Sequence, residues 1–243
     1  MTITLVERFR VARRDSELAV LEGFHALKHA LRFGADILDV AAIDPDDVTR
    51  LADGLAPDVS AQLRALARAT EPTTFAVLSP THVPTGIIAI AKRRTPDVTA
   101  VFAQPEAAPI VLLENAHSPF NVGAAVRVAA AAGAAGLFVT GNTDPWGPAA
   151  LRAGAGLAFA LPVARIDAMP ETDRPLVAFD PDGDDLGPRM LPARAILAFG
   201  SERAGLSDAV LANAILRIRI PMRPGVSSMN LATAVAVALF CGR

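Results

Sequence analysis

Residues 110–140, IVLLENAHSPFNVGAAVRVAAAAGAAGLFVT, contain the pattern from which the fold class follows. A continuous apolar run at 110–113 is followed by a polar loop, an alanine-rich segment at 122–132 and a second apolar run at 136–140. Short apolar runs without alternation are typical of strands buried on both faces of a parallel sheet, where a helix connects consecutive strands. The stretch therefore predicts a strand–helix–strand unit.

The same alternation continues to the carboxyl terminus. The pattern predicts strands at 176–179, 195–199 and 216–220, and helices at 149–156, 208–212 and 231–241. Alternating strands and helices indicate an α/β fold with a mostly parallel sheet, in which ligands bind at the carboxyl ends of the strands.

The first hundred residues also alternate between predicted helix and strand. We expect a helix at 15–32, a strand at 37–43, helical segments through 44–69, and strands at 75–78 and 86–91. Pro96, Pro105 and Pro109 then interrupt regular structure and mark a linker. The predicted domains are a smaller amino-terminal α/β domain at 1–95, a linker at 96–108 and a second domain at 109–243.

Composition limits the class of protein. Of 243 residues, 52% are hydrophobic and the mean hydropathy is +0.37, which allows a substantial core. No apolar run reaches the roughly 18 residues of a membrane span, and the start lacks a signal-peptide core, so we expect a soluble cytoplasmic protein. The single Cys241 excludes a disulfide framework within the chain. The net charge of −2 requires any nucleic-acid surface to be a local patch.

Three polar loops containing glycine follow predicted strands. The first, 114–123, leads into a helix that carries Arg127; the second is 199–207; the third, 220–231, opens the last helix. Each could be a helix cap or turn alone. Backbone N–H groups at a helix start can equally bind a small ligand.

Taken together, the three loops resemble the three motifs of the TrmH-like (SpoU) branch of the SPOUT RNA methyltransferases. The matching positions of the first motif are Asn115, Asn121, Gly123 and Arg127. Those of the second are Gly200, Glu202, Gly205 and Leu206. Those of the third are Ile220, Pro221, Met222, Gly225, Ser228 and Asn230, with Met229 in place of the usual Leu.

The resemblance implies a knotted domain, contrary to the usual topology of proteins, with S-adenosylmethionine bound in a deep trefoil knot. It also implies a homodimer whose active site is completed across the interface, and no metal. The implied catalytic residues are Arg127, Asn121, Glu202, Ser228 and Asn230. The implied cofactor-binding residues are Thr140, Gly141, Gly200, Ser201, Glu202, Ile220, Met222, Ser228, Met229 and Leu231.

Two further segments resemble parts of the family. Residues 152–156 are similar to its Arg-x-Ser-x-Gly helix, but Gly154 stands where Ser is usual. Residues 21–23 and 84–89 resemble the amino-terminal extension of rRNA-directed members, which is similar in fold to a small ribosomal RNA-binding protein. This extension implies rRNA rather than tRNA as the substrate. A basic segment, Arg8, Arg10, Arg13 and Arg14, is either an RNA phosphate contact or a solvated surface.

The implied reaction is attack of a ribose 2′-hydroxyl on the methyl carbon of a sulfonium, which mainly requires alignment and removal of a proton. The family assigns activation of the hydroxyl to the residue matched by Arg127. A guanidinium rarely gives up its proton, so Arg127 could instead hold the ribose or its phosphate.

The residues also allow other functions. The alternatives are a tRNA 2′-O-methyltransferase, a non-catalytic RNA-binding member of the same fold, and a nicotinamide-dependent oxidoreductase on a doubly wound sheet. The last lacks a dinucleotide fingerprint in the sequence. His25 and His29 are spaced as a helical metal pair, but no third ligand is evident.

Overall fold

The computed structural model describes residues 3–188, 190–201 and 203–241, which form two compact units. The first unit comprises residues 1–94 and 146–160, and the second comprises 95–145 and 161–243. The segment 146–160, which we expected within the second domain, thus groups with the first unit. Within the described ranges, no helix is long and apolar enough to cross a bilayer.

In the first unit, the helices and strands follow one another along the chain. The helices are α1 Leu5–Ala12, α2 Phe24–Arg32, α3 Pro45–Leu55, α4 Pro57–Leu66 and α5 Pro72–Phe75, with α8 Pro148–Ala153 and a 3₁₀ turn at Leu157–Phe159 supplied by the later segment. The strands are β1 Leu18–Glu22, β2 Ile37–Ala42, β3 Arg68–Ala69 and β4 Ile87–Lys92.

The sheet of the first unit has the order β1-β4-β2-β3. β4 pairs antiparallel with β1 and β2, and β3 adds to β2 in parallel. Phe9, Phe75 and Leu78 are buried with apolar side chains from β1 and β4 in one core cluster. The amino-terminal helix α1 therefore contributes to this core through Phe9.

Two predictions for the first unit are wrong. The expected helix 15–32 is divided by Gly23 into strand β1 and helix α2. Four of the five β1 residues are buried because the strand pairs with β4, and a short buried strand cannot be distinguished from helix by periodicity alone. The expected strand 75–78 is instead the end of α5 followed by a turn. The apolar side chains of Phe75 and Leu78 do face the core, but from a helical turn.

The second unit contains the remaining helices and strands. The helices are α6 Val98–Ala103, α7 Pro119–Ala131, α9 Asp208–Asn213 and α10 Leu231–Cys241. The strands are β5 Ile110–Leu113, β6 Gly136–Val139, β7 Val163–Arg165, β8 Leu176–Asp185, β9 Ile196–Phe199 and β10 Leu216–Arg219.

The described strands of the second unit form a six-stranded parallel sheet in the order β10-β8-β9-β5-β6-β7. Every residue of β5, β6 and β9 is buried, as expected for central strands of a covered parallel sheet. The predicted α/β class with a mostly parallel sheet is confirmed. The trefoil knot stays a prediction.

The segment 96–108, interpreted above as a linker, is ordered within the second unit. Its prolines lie outside α6, and Phe102 of that helix is fully buried beside Phe138. The buried guanidinium of Arg174 donates hydrogen bonds to the carbonyl oxygens of Phe102, Gln104, Ala108 and Arg194, at 2.8–3.1 Å. These bonds fix the backbone of the segment against the sheet.

Candidate functional site

The three polar loops of the second unit lie at the carboxyl ends of their strands. The first loop follows β5, the second follows β9 and the third follows β10. β9 and β5 are neighbours in the parallel sheet, so the first two loops leave it side by side. This placement is the one expected for a ligand site in an open α/β sheet.

The first loop and the third loop are joined through two of the predicted site residues. Ser118 caps α7 by accepting a hydrogen bond from the Asn121 amide at 3.3 Å. Asn230 caps α10, because its Oδ1 accepts from the amides of Ala232 and Thr233. The Nδ2 of Asn230 donates to the Oδ1 of Asn121 at 2.9 Å. Residues 109 positions apart are thus brought into direct contact.

The second loop is a tight backbone turn. Ser201 and Gly205 exchange two backbone hydrogen bonds at 3.0 and 3.1 Å, and the buried Ser201 hydroxyl accepts from the Ala204 amide. A Cβ on Gly200 would lie 2.0 Å from the carbonyl carbon of Gly205, so no side chain fits there. Glu202, predicted for both catalysis and cofactor binding, lies outside the described residues.

A fourth loop, after β6, meets the first. Thr140 accepts a hydrogen bond from the Asn115 amide through Oγ1 at 3.1 Å. A Cβ on Gly141, which has a φ of 83°, would lie 2.8 Å from the Asn115 Oδ1. Glycine at 141 therefore permits both the left-handed backbone and the close approach of the Asn115 side chain.

The other predicted cofactor-binding residues belong to the third loop and its flanks. Ile220 and Met222 are half-buried, Ser228 and Met229 are exposed, and Leu231 is buried at the start of α10. Gly225 forms a turn in this loop with a φ of 88°. The loop thus has half-buried or buried apolar side chains at its two ends and an exposed centre that carries both polar and apolar side chains, among them Ser228 and Met229.

Arg127 does not join the pair of asparagines within this chain. Its side chain is exposed on α7, six residues after Asn121. Six helical residues correspond to a rotation of about 240°, so the two side chains leave the helix on different faces. Of the predicted catalytic residues with described side chains, only Asn121 and Asn230 are in direct contact by a hydrogen bond.

Sequence reasoning missed Glu114, the residue directly after β5. Its carboxylate accepts two hydrogen bonds from Ser207, one from the amide and one from the hydroxyl, each 2.7 Å long. Ser207 also caps α9. The position of Glu114 at the end of a central strand was the available signal, since polar residues at that edge are placed near ligands.

A cavity of about 220 Å³ in the same unit lies elsewhere. It is lined by Pro109, Leu197 and Ala238 together with residues 191–193, near the amino-terminal ends of β5 and β9. No predicted catalytic or cofactor-binding residue lines it. The edge that carries the polar loops is therefore the better candidate for chemistry.

The predicted RNA-contact arginines belong to the first unit. Arg8 pairs with Asp39, and Arg10 lies 3.5 Å from Glu7. Arg13 donates to the carboxylate of Glu22 and to the carbonyl oxygen of Leu78, both at 2.7 Å. Arg13 thus has a structural role at the core, whereas Arg10 and Arg14 are exposed.

Glu22 is the centre of a buried polar network in the first unit. Its side chain is 1% exposed and accepts hydrogen bonds from Arg13, Arg152 and the hydroxyl of Ser79. Burial raises the pKa of Glu22, but the hydrogen bonds from Ser79 and Arg13 and the charges of both arginines outweigh it and lower the pKa. Arg152, which the sequence matched to a family helix, is thus held by a buried carboxylate.

Among the described residues, the two histidines of α2 have no third side chain with which to hold a metal ion. His29 contacts the carbonyl oxygen of Ala155 through Nδ1 at 2.7 Å. Burial lowers the pKa of His29, whereas the hydrogen bond with Ala155 raises it. The effect of burial is the larger, so the pKa is lowered. Within the described ranges, no group of three His, Cys, Asp or Glu side chains is arranged to hold a metal ion.

A family model for the SpoU rRNA methylases matches residues 108–240, which include all three motif loops. The chain belongs to the SpoU rRNA methylase family. The resemblance inferred from the motifs is therefore confirmed.

The SpoU chain is similar in sequence to named bacterial proteins. The chain is 33% identical over 144 residues to the 23S rRNA (uridine(2479)-2′-O)-methyltransferase of Streptomyces viridochromogenes, and the match covers 54% of this chain and 50% of the relative. It is 34% identical over 145 residues to an uncharacterized tRNA/rRNA methyltransferase of Synechocystis, covering 55% and 52%. The matches span about half the length of these curated relatives.

Solved structures resemble the SpoU chain over nearly its whole length. An rRNA methyltransferase from Sinorhizobium meliloti has a TM-score of 0.77 and 25% identity, covering 100% of this chain and 95% of that one. The SpoU methyltransferase AviRb from Streptomyces viridochromogenes, in complex with AdoMet, has a TM-score of 0.75 and 24% identity, covering 98% and 92%. The fold of both units is thus shared with these proteins.

Proposed function

We propose that the chain transfers a methyl group from S-adenosylmethionine to a ribose 2′-hydroxyl of structured RNA, with rRNA rather than tRNA as the substrate. The observation that carries the proposal is the contact between Asn121 and Asn230, which unites the first and third family motifs at the carboxyl edge of the sheet. The names of the relatives and of the solved structures support the same reaction class.

The loops fit a cofactor that is bound largely by backbone groups. A Cβ on Gly141 would collide with Asn115 of the first loop, and a Cβ on Gly200 would collide with Gly205 on the far side of its own loop, so the backbone itself forms this part of the surface. Backbone N–H and C=O groups would hold the polar parts of S-adenosylmethionine there. Ile220, Met222 and Leu231 would supply apolar contacts beside them.

Bound S-adenosylmethionine would supply the methyl group for in-line attack by the 2′-oxygen. The task of the protein is then to align the hydroxyl and to stabilise charge as its proton leaves. Arg127 is exposed and able to reach a substrate; it either activates the hydroxyl or holds the ribose–phosphate edge. Asn121 and Asn230 act by fixing the loops around the reacting atoms.

A homodimer is part of this proposal. Phe120 on α7 and Phe240 on α10 are 59% and 61% exposed, and Val226 of the third loop is 51% exposed. α7 and α10 pack against each other, so their exposed apolar side chains lie on one helical layer. Arg127 leaves α7 on a different face from Asn121, which suits an active site completed by a second copy.

Methyl transfer from tritium-labelled S-adenosylmethionine to separated rRNA and tRNA tests the reaction. We expect label in rRNA, and mapping of 2′-O-methyl sites in host RNA with and without the gene should reveal one nucleotide that depends on it. Cofactor binding without transfer to any RNA would favour a non-catalytic RNA-binding protein. Label in tRNA alone would overturn the choice of rRNA.

Mixed dimers test the shared site. Arg127→Ala chains are combined with Gly200→Ala chains, whose cofactor loop is disabled, after each is shown to be inactive alone. If Arg127 acts on the partner subunit's cofactor, one site of each heterodimer regains activity. No recovery, despite confirmed subunit exchange, would place Arg127 in its own chain's site.

A further inference from the structure

We propose that Glu114 is a positioning residue. It sets the spacing between the second loop, after β9, and the fourth loop, after β6, which are both expected to hold S-adenosylmethionine. The inference rests on the proposed function, because it assigns a role in cofactor binding. Neither Glu114 nor its partner Ser207 is among the residues that the family motifs predicted for the site.

Glu114, the first residue of the first loop, lies between the loop after β9 and the loop after β6. It follows β5, which lies between β9 and β6 in the sheet. Its amide donates to the carbonyl oxygen of Phe199, the last residue of β9, at 2.8 Å. The next amide, that of Asn115, donates to Thr140 directly after β6. Residues 114 and 115 therefore link the loop after β9 to the loop after β6.

The side chain of Glu114 extends this link to the far end of the second loop. One carboxylate oxygen accepts a hydrogen bond from the amide of Ser207 and the other accepts one from its hydroxyl, each at 2.7 Å. Gly205, two residues earlier, is held to Ser201 by two backbone hydrogen bonds. Fixing Ser207 therefore fixes the return strand of the loop against which Gly200 packs.

A carboxylate suits this role better than any other side chain. It carries two acceptor oxygens and no donor, whereas an amide of the same shape presents one acceptor and one NH₂ group. Ser207 offers two donors, so Glu satisfies both and Gln only one. Hydrogen bonds to an ionised acceptor are also stronger than neutral ones.

Two variants of Ser207 isolate the contact with Glu114. Ser207→Asn and Ser207→Asp introduce side chains of nearly equal size, and both cap helices well, so α9 keeps its cap. The Asn amide can still donate to Glu114, whereas the Asp carboxylate repels it. We expect Ser207→Asp to raise the dissociation constant for S-adenosylmethionine by at least about tenfold, and Ser207→Asn by less than about threefold.

A second substitution tests whether the repulsion arises from Glu114 itself. In the Ser207→Asp background, Glu114→Gln replaces the repelling oxygen by an NH₂ donor and should restore most of the lost affinity. Glu171→Gln, an exposed carboxylate elsewhere in the second unit, is the matched control and should leave binding unchanged. Calorimetric titration with S-adenosylmethionine measures all variants, and thermal unfolding verifies that each is folded.

The kinetic readout separates positioning from general damage. Ser207→Asp should raise KM for S-adenosylmethionine, while kcat at saturating cofactor falls by less than about threefold, because the substrate-facing groups are unchanged. Normal affinity in folded Ser207→Asp, or loss of affinity that Glu114→Gln does not restore, would overturn this inference alone. Absence of S-adenosylmethionine binding by the unchanged protein would overturn the proposed function as well.

Discussion

One polar cluster in each unit lies in opposite surroundings. In the first unit, Glu22, Arg13 and Ser79 meet at the core, where Glu22 is almost completely buried. In the second, Asn121 and Asn230 meet at the open edge of a sheet whose central strands are entirely apolar. A buried network contributes mainly to stability, whereas polar groups at an accessible edge can contact a ligand. Substitutions in the two regions should therefore affect different measurements.

Arg127→Ala should show the largest effect, and on activity alone. The side chain is exposed, so we expect unchanged thermal stability and near-normal S-adenosylmethionine affinity, with a loss of methyl transfer of about a hundredfold to ten-thousandfold. Single-turnover transfer of labelled methyl groups measures it. Arg127→Lys should recover little, because it keeps the charge but not the planar pair of donors. Full activity in Arg127→Lys would reduce Arg127 to a simple positive charge.

Gly200→Ala tests whether the edge site depends on backbone shape. The added Cβ would lie 2.0 Å from the Gly205 carbonyl carbon, so the second loop must open. We expect S-adenosylmethionine affinity to fall by at least about a hundredfold, measured by calorimetry. Gly187→Ala is the control, since nothing lies within 4 Å of a Cβ there. Equal affinities of the two variants would mean that this loop does not contact the cofactor.

Glu22→Ala should instead destabilise the protein. It removes the carboxylate shared by Arg13, Arg152 and Ser79, and leaving such hydrogen-bond partners unsatisfied typically costs about 1–3 kcal/mol in the free energy of unfolding. Chemical denaturation measures this loss. An effect below about 1 kcal/mol would show that the network contributes little.

The pH dependence of the unfolding free energy tests the contribution of Glu22 in a second way. Because folding lowers the pKa of Glu22, its contribution is fully present above the unfolded-state pKa of about 4.3 and is lost as pH falls through the folded-state value. Glu22→Gln should therefore flatten the decline of the unfolding free energy below about pH 4.3. An unchanged acid profile in a folded Glu22→Gln protein would contradict the assignment.

The smallest effect is expected for the two exposed arginines of the basic segment. Replacing Arg10 and Arg14 by Ala, while Arg13 stays to hold Glu22, should weaken RNA binding modestly without changing stability. The plot of log affinity against log salt concentration should become less steep. The magnitude of its slope should decrease by at most about 2, because each arginine accounts for about one phosphate contact. Arg50→Ala, which removes another exposed arginine, is the control. An unchanged salt slope would make the segment an ordinary solvated surface.

Sequence predicted the second unit far better than the first. β5 and α10 both have the predicted bounds. For β5 the reason is that a continuous apolar run identifies a strand buried in a parallel sheet. β1 was mistaken for helix because its burial comes from pairing with β4, about seventy residues away. β8 extends beyond its apolar residues to Asp185, where Arg217 and Arg219 of β10 pair with Asp180 and Asp185.

The site was predictable to the extent that it follows strand order. Asn121 and Asn230 were singled out from the motifs, and their contact follows from loops that meet at one edge. The bond between Glu114 and Ser207 was not predictable, because it depends on the fold of the loop between Gly200 and Ser207. Hydropathy and spacing contain no information on such a turn.

The buried Arg174 determines where the chain can be cut to obtain a separate carboxyl-terminal fragment. A fragment beginning at residue 109 would lack the carbonyl groups of Phe102, Gln104 and Ala108. Of the acceptors that the structure describes for the buried guanidinium, Arg194 alone would remain. An unsatisfied buried charge of this kind favours aggregation or misfolding over soluble expression. A fragment that begins at Thr95 retains those acceptors and the buried ring of Phe102.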